Sequence, residues 1–201
     1  FGSPVHNSLG WQKKFLKDVC TKLNDGTHFS PESFETGEYK YITAKNIKIS
    51  GFDFTNITYV SKEVHKPIYE RCNPELGDVL YIKDGATTGI AMVNTLAEEF
   101  TLLSSVALLK QDRQRINGYF LAALLNNEDM YADIRRNMAG AAITRLTIAK
   151  LNAIQVILPP IELQNQFADF VEQTEKTKTT INRSLEKLEM LKKALMQEYF
   201  G

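Results

Sequence analysis

The last forty residues of the chain have the pattern of one uninterrupted amphipathic helix. From Phe167 to Tyr199, core-type positions recur at alternating steps of four and three residues, and no glycine or proline interrupts the run between Pro160 and Gly201. This spacing is the heptad pattern of a coiled coil. We call its apolar positions the heptad seam, which consists of Phe167, Val171, Ile181, Leu185, Leu188, Leu195 and Tyr199.

A helix of this length is expected to extend beyond the domain that precedes it. At the usual rise it would be about 60 Å long, whereas a domain of about 150 residues has a radius of gyration of about 15 Å. Exposed leucine and isoleucine side chains are costly in water, so the seam predicts a partner helix. The alternative is a terminal helix that folds back on its own core.

Composition excludes several classes of protein. The 201 residues carry 24 basic and 24 acidic side chains, so the chain is not basic throughout, although a local basic cleft remains compatible with this balance. No apolar run is long enough to span a membrane, and no signal-peptide pattern opens the chain. Cys20 and Cys72 lack metal-ligand spacing. We therefore expect free thiols and a cytoplasmic location.

Residues 1–158 predict an α+β domain of mixed strands and short helices, and residues 159–201 predict the long coiled-coil helix. Strand patterns cover residues 39–49, 79–82, 90–93, 101–109 and 153–158, with a hairpin return over 51–60. Helical patterns cover residues 64–72, 117–138, with a break near Asn126, and 147–152. Residues 11–23 form a short amphipathic segment, and residues 24–37 a polar loop.

Motifs of known enzyme classes are mostly missing. The sequence contains no P-loop, no G-x-G-x-x-G and no G-x-S-x-G motif, and its three histidines are too scattered to predict a metal site. One fragment resembles a nuclease: Glu38-Tyr39-Lys40, with Asp25 upstream as a second carboxylate for a metal ion. A nuclease or methyltransferase domain therefore stays open as an alternative.

Hydrogen-bond donors and cations are concentrated in the loops, which fits a binding role. Lysine and arginine neutralise phosphates, and asparagine, arginine and threonine can bond to base edges. The predicted DNA-binding residues are Thr27, His28, Lys45, Asn46, Lys48, Lys83, Thr87, Thr88, Arg135, Arg136 and Arg145, the arginines bracketing a loop at Gly140. Each one taken singly also fits a solvated surface residue: Asn46 could cap a turn, and Arg136 could pair with Asp133.

An ordered set of segments closely resembles one half of the specificity subunit of type I restriction–modification systems. The matching segments are residues 1–5 (FGSPV) with Gly10-Trp11, residues 25–28 (DGTH), 41–47 (YITAKNI), 77–80 (GDVL), 85–89 (GATTG) and 158–164 (LPPIELQ), and the closing run over 185–200. Each segment is weak alone, but together they span nearly the whole chain in the family's order.

The resemblance implies one target recognition domain followed by the family's conserved spacer helix. In the family two spacers pack antiparallel, set the distance between DNA half-sites and dock modification subunits, and longer members run from a spacer directly into a second domain. Phe-Gly at both ends of this chain fits such a junction. The departure is length: one domain and one helix would be either a natural half-subunit or an excised half, and a half could form a homodimer through the heptad seam.

The function implied by the resemblance is recognition of double-stranded DNA without catalysis. No metal or cofactor is expected on this chain: S-adenosylmethionine, ATP and Mg²⁺ would belong to the modification and restriction subunits. A coiled-coil scaffold that binds only protein is the remaining alternative. The family's recognition residues vary with the target, so the individual base contacts stay open.

Overall fold

The structure is a computed structural model that describes residues 1–136 and 145–200. In chain order its elements are β1 (Gln12–Phe15), α1 (Leu16–Val19), β2 (Cys20–Asp25), β3 (Tyr39–Ile42), a 3-10 turn (Ala44–Asn46), β4 (Ile47–Lys48), β5 (Gly51–Phe52), β6 (Thr58–Val60), α2 (Lys62–Arg71), β7 (Val79–Ile82), β8 (Ala91–Val93), β9 (Phe100–Leu102), β10 (Val106–Gln111), α3 (Gly118–Asn126), α4 (Glu128–Arg136), α5 (Ile148–Asn152), β11 (Gln155–Leu158) and α6 (Ile161–Phe200). The predicted α+β class is confirmed.

A four-stranded antiparallel sheet of order β2-β10-β7-β8 lies at the centre of the domain. Its middle strands β7 and β10 are apolar on both faces, because each face covers a separate core. On one face, Val79, Tyr81 and Leu109 pack with residues of α1, α3, α4 and α5. On the other face, Leu80 and Leu108 pack against β3 and β9. Because successive side chains of a strand point to opposite faces, the same sheet contributes residues to two hydrophobic clusters.

A smaller, three-stranded sheet has the order β6-β3-β9. Strand β3 is its middle strand, antiparallel to β6 and parallel to β9. Helix α2 packs beside β9. The buried His65 on α2 is held by Thr101 on β9 through a 2.9 Å contact between Nδ1 and Oγ1. After Ile42, where β3 ends, the chain continues into the 3-10 turn and then into the β4–β5 hairpin.

Strands β1 and β11 pair antiparallel and bring residues near both ends of the domain together. The long helix begins directly afterwards, past Pro159 and Pro160. Gln164 in its first turn is fully buried and anchors it, since the side-chain amide bonds to the backbone of Asn117, Arg115 and Pro159. The ring of Phe167 packs edge-on against Phe1 and Phe120.

Beyond this anchor, helix α6 leaves the domain. It runs for 40 residues without a break, which corresponds to about 60 Å. From residue 172 to residue 200 every side chain is exposed, including Ile181 at 54% and Leu188 at 65% of their full surface. The prediction of a projecting helix is confirmed, and the alternative of a helix folded back on its own core is wrong.

The structure corrects the heptad seam at its beginning. Phe167 and Val171 are partly buried, Phe167 against the domain core and Val171 beside Tyr119 in a groove between α6 and the domain. The apolar side chains exposed on this part of α6 are Leu163 and Phe170, the latter at 67%. The exposed stripe therefore continues through Leu163 and Phe170 rather than through Phe167 and Val171. We call this corrected surface, together with Ile181, Leu185, Leu188, Leu195 and Tyr199, the exposed stripe.

Other local predictions hold in part. The break near Asn126 is confirmed, since α3 ends there and α4 starts at Glu128. The end of that predicted helix and the loop at Gly140 lie outside the described residues. The amphipathic segment 11–23 is mostly extended, with one helical turn between β1 and β2. The predicted strand 39–49 is interrupted after Ile42, because Thr43 and Asn46 form a capping box around the 3-10 turn.

Candidate nucleic-acid interface

A cleft of about 720 Å³ opens between the 3-10 turn and the loop that follows β7. The smaller sheet forms its floor, where Tyr41 on β3 stands opposite Thr58 on β6. Its described lining residues are Ser30, Tyr41, Thr43, Ala44, Lys45, Asn46, Lys48, Asn56, Thr58, Gly85, Ala86, Thr87, Leu103 and Ser105. Four of the eleven predicted DNA-binding residues meet here: Lys45, Asn46, Lys48 and Thr87.

The cleft is positively charged although the chain as a whole is neutral. Lys45 and Lys48 are exposed, and none of the lining residues that the structure describes is acidic. Lys48 lies 3.9 Å from the Asp53 carboxylate, a loose surface pair that retains solvent contact. The other lining side chains offer hydroxyl and amide groups. Cations among neutral hydrogen-bonding groups suit a polyanion that also presents donors and acceptors.

Asn46 holds the backbone that presents the two lysines. Its side-chain oxygen accepts hydrogen bonds from the backbone N–H and the hydroxyl of Thr43, and its amide donates to the carbonyl of Asp53. Asn46 is buried, so its predicted role as a DNA contact is corrected to a turn cap that orients Lys45. Thr43 and Asn46, three residues apart, are the sequence signal for this cap.

The glycine loop from Gly85 to Gly89 forms the opposite wall of the cleft. Both glycines have positive φ angles, 105° and 111°, which favour glycine. The Thr88 hydroxyl donates to the Gly85 carbonyl at 2.7 Å and is buried, whereas Thr87 is exposed at the cleft. The prediction for Thr88 is therefore corrected to a loop-fixing residue, and Thr87 stays a candidate contact.

Lys83 does not reach the surface as predicted. It is 2% exposed, and its ammonium group lies 3.1 Å from the carboxylate of Asp25, which is also buried. Arg71 approaches the same carboxylate at 3.6 Å, and the His28 ring lies 3.1 Å from it. Lys83 is thus one half of a buried ion pair that joins β7 to β2, and it is not available to a phosphate.

The Asp25 carboxylate is also the second metal ligand that the nuclease alternative requires. Asp25 is engaged by Lys83, Arg71 and His28, and Lys40 bonds to Glu98. Asp25 and Lys40 of the nuclease-like fragment are therefore engaged by other partners. Among the described residues, no three histidine, cysteine, aspartate or glutamate side chains are grouped so that they could hold a metal ion.

Gly26 fixes the segment that carries Thr27 and His28. A methyl group at Gly26 would lie 1.9 Å from the Leu102 carbonyl oxygen, so only glycine fits this close approach. Thr27 is buried and pairs with Leu103 in a parallel bridge, which corrects its predicted role as a DNA contact. His28 keeps 57% of its side chain exposed.

The three arginines lie on the far side of the glycine loop. Arg135 is half-buried and donates to the Tyr131 hydroxyl at 2.6 Å and to the Thr88 carbonyl. Arg136 pairs with Asp133 at 3.5 Å, as the surface interpretation expected. Arg145 pairs with Asp84 at 3.4 Å and is half exposed. Arg135 and Arg145 thus border the loop, but none of the three arginines lines the cleft.

Sequence reasoning missed several groups of this site. Ser30, Asn56 and Thr58 line the cleft from loops and from an edge strand, where no pattern singles them out. Tyr41 lies in a predicted strand, and its Tyr-x-Tyr alternation with Tyr39 places both tyrosines on one face of β3, but this pattern does not distinguish a core position from a cleft position. Arg71 reaches the DGTH segment from helix α2, a contact that spacing along the chain does not reveal.

Both cysteines are free in the structure, as expected from the sequence. Burial raises the pKa of the Cys20 and Cys72 thiols to about 12. Such thiols stay protonated and unreactive near neutral pH. In the described part of the chain, no helix has both the length and the apolar character that crossing a bilayer requires.

Comparison with known proteins gives a consistent result. A protein of Methanocaldococcus jannaschii, named as the specificity subunit of the type I restriction enzyme MjaX, is 25% identical over 195 residues, which cover 94% of this chain and 45% of that protein. The chain thus spans about half the length of this curated relative.

Solved structures share the fold. The S subunit of a type I restriction–modification system from M. genitalium aligns with a TM-score of 0.62 at 17% identity, over 96% of this chain and 46% of its own. The HsdS subunit from Thermoanaerobacter tengcongensis aligns with a TM-score of 0.58 at 18% identity, over 96% of this chain and 45% of its own. The family model of the type I restriction modification DNA specificity domain matches residues 8–190, and the chain therefore belongs to that family.

Proposed function

We propose that this chain recognises one part of a bipartite double-stranded DNA site and performs no catalysis itself. The observation that carries the proposal is the cleft, which has two exposed lysines, several neutral hydrogen-bonding groups and no acid among its described lining residues. Family membership supports it independently. On this account residues 1–158 are the target recognition domain and residues 159–201 the spacer.

In this mechanism the two walls of the cleft have separate roles. Lys45 and Lys48 neutralise phosphates and supply affinity that falls as salt rises. Thr87, on the glycine loop, and Asn56 and Ser30 offer short polar side chains for base edges in the major groove. The Asn46 cap and the positive-φ glycines hold both walls in place, so little conformational freedom is lost on binding. His28 and Arg145 are exposed but lie outside the cleft lining, and in this proposal they are peripheral contacts.

Replacing both cleft lysines tests the proposal. Lys45→Ala with Lys48→Ala should weaken binding to duplex DNA across all sequences. It should also reduce the slope of log affinity against log salt by about 2, since each phosphate contact contributes about 0.9. Titration of a fluorescent duplex at several salt concentrations measures both quantities. The melting temperature should stay unchanged, because both side chains are exposed.

The matched control removes the same charge from another surface. Lys17→Ala with Lys150→Ala changes two exposed lysines, one on α1 and one on α5. These two helices pack against each other, and neither lysine lines the cleft. This variant should bind DNA with the original affinity and slope. An equal loss in both variants would mean that overall charge, and not the cleft, attracts DNA.

The helix carries the second half of the proposed function. We infer that the exposed stripe pairs with a second copy of the chain to form a homodimer, and that the resulting coiled coil docks modification subunits and through them a restriction subunit. The exposed leucines of α6 support this, because such a surface is stable only when it is covered. S-adenosylmethionine, ATP and Mg²⁺ act on those partner subunits in this scheme, in the cytoplasm.

A further inference from the structure

Tyr41, on the floor of the cleft, has a buried hydroxyl group that forms no hydrogen bond with the described residues. It is 6% exposed, and its hydroxyl oxygen is buried without a hydrogen-bond partner among the described residues. It lies on β3, between Thr58 on β6 and Thr101 on β9, in the register of the smaller sheet. Tyr41 also lines the cleft that Lys45 and Thr87 border.

An unpaired hydroxyl at this position is costly. A buried polar group that lacks a partner destabilises the fold by about 1–3 kcal/mol. Burial also raises the pKa of Tyr41 to about 12, so the hydroxyl keeps its proton near neutral pH and remains a hydrogen-bond donor. Phenylalanine would fill the same space at no such cost, so packing alone does not account for the hydroxyl.

We propose that the Tyr41 hydroxyl is a specificity-determining group of the cleft, which donates a hydrogen bond to an acceptor on bound DNA. The inference rests on the proposed function and adds a residue to it. The acceptor is a phosphate oxygen or an acceptor atom on a base edge of DNA held between the two walls of the cleft. Because the hydroxyl is shielded from solvent in the unbound chain, this contact requires the side chains around it to rearrange on binding.

Tyr81 provides a matched comparison within the same molecule. Its hydroxyl is also buried without a partner among the residues that the structure describes. It belongs, however, to the core between the central sheet and the helices, not to the cleft lining. The two tyrosines therefore share an unpaired hydroxyl and differ in whether a cleft adjoins it.

The experiment compares Tyr41→Phe and Tyr81→Phe in the full chain. Tyr41→Phe should leave the melting temperature equal or higher, since removing an unpaired buried hydroxyl is neutral or stabilising. It should weaken duplex binding about five- to tenfold, the size of one hydrogen bond. Tyr81→Phe should bind DNA with the original affinity. Binding is measured with a pool of short randomised duplexes, followed by sequencing of the bound fraction.

The sequenced fraction distinguishes the two acceptors. Loss of preference at one position of the enriched sequence indicates a base-edge acceptor, whereas a uniform loss across all sequences indicates a phosphate. Full affinity and unchanged preference in Tyr41→Phe would overturn this inference alone, as would a fall in melting temperature without a loss of binding. No binding by the unsubstituted chain would contradict the proposed function, and this inference with it.

Discussion

Replacing Lys83 by methionine should lower the free energy of unfolding by about 3–5 kcal/mol. The substitution keeps most of the side-chain volume and removes the charge that lies 3.1 Å from the Asp25 carboxylate. That carboxylate is 5% exposed, so it would stay in a poorly solvated position without the nearer of its lysine and arginine partners. Arg71, at 3.6 Å, compensates in part, which favours the lower end of the range. Chemical denaturation followed by circular dichroism measures the change.

Two further variants distinguish the effect of breaking the buried ion pair from the effect of removing a positive charge. Lys48→Met removes an exposed lysine with a 3.9 Å pair to Asp53 and should change stability by less than about 1 kcal/mol. Adding Asp25→Asn to Lys83→Met should recover part of the loss, because no buried charge then lacks a partner. A loss below about 1 kcal/mol for Lys83→Met would contradict the buried pair.

Leu188→Asp combined with Leu195→Asp should convert the proposed homodimer to a monomer. Both leucines are more than half exposed on the C-terminal part of α6, one heptad apart. A charged side chain at a seam position is costly to bury in a helix–helix interface and leaves little energy for pairing. Analytical ultracentrifugation over a range of concentrations measures the mass. The domain should keep its melting transition, since neither leucine contacts it.

The control for this prediction uses the opposite face of the same helix. Thr179→Asp with Gln197→Asp introduces the same two charges at exposed positions about half a turn from the stripe. This variant should remain dimeric. A monomeric unsubstituted chain, or equal masses for the stripe variant and the unsubstituted chain, would show that the exposed stripe does not form the proposed homodimer.

The long helix could be predicted because its signal is local. Forty residues without glycine or proline, with a repeat of seven, leave few alternatives to a helix. Which side of the helix packs against the domain was harder to predict. Phe167 and Phe170 are both apolar, and spacing alone does not tell which one the domain covers. The contact of Phe167 with Phe120 decides this, and it joins parts of the chain that are distant in sequence.

The cleft could be predicted only in part, for a related reason. Lys45, Lys48 and Thr87 were found because they are polar residues in turns, and such residues are usually exposed. Lys83 looks the same in sequence, yet it follows the fully buried strand β7 and continues into the interior. Its partner Asp25 lies on β2, beyond the reach of local patterns. Burial of polar groups depends on tertiary pairing, which a single sequence does not display.

Selection of duplexes by the full chain tests the proposed recognition most directly. The chain is mixed with a pool of randomised duplexes at low and at moderate salt, and the bound fraction is sequenced. We predict enrichment of one defined short sequence at both salt concentrations, with overall affinity falling steeply between them. Binding without sequence preference, or no salt-sensitive binding, would contradict recognition by this domain.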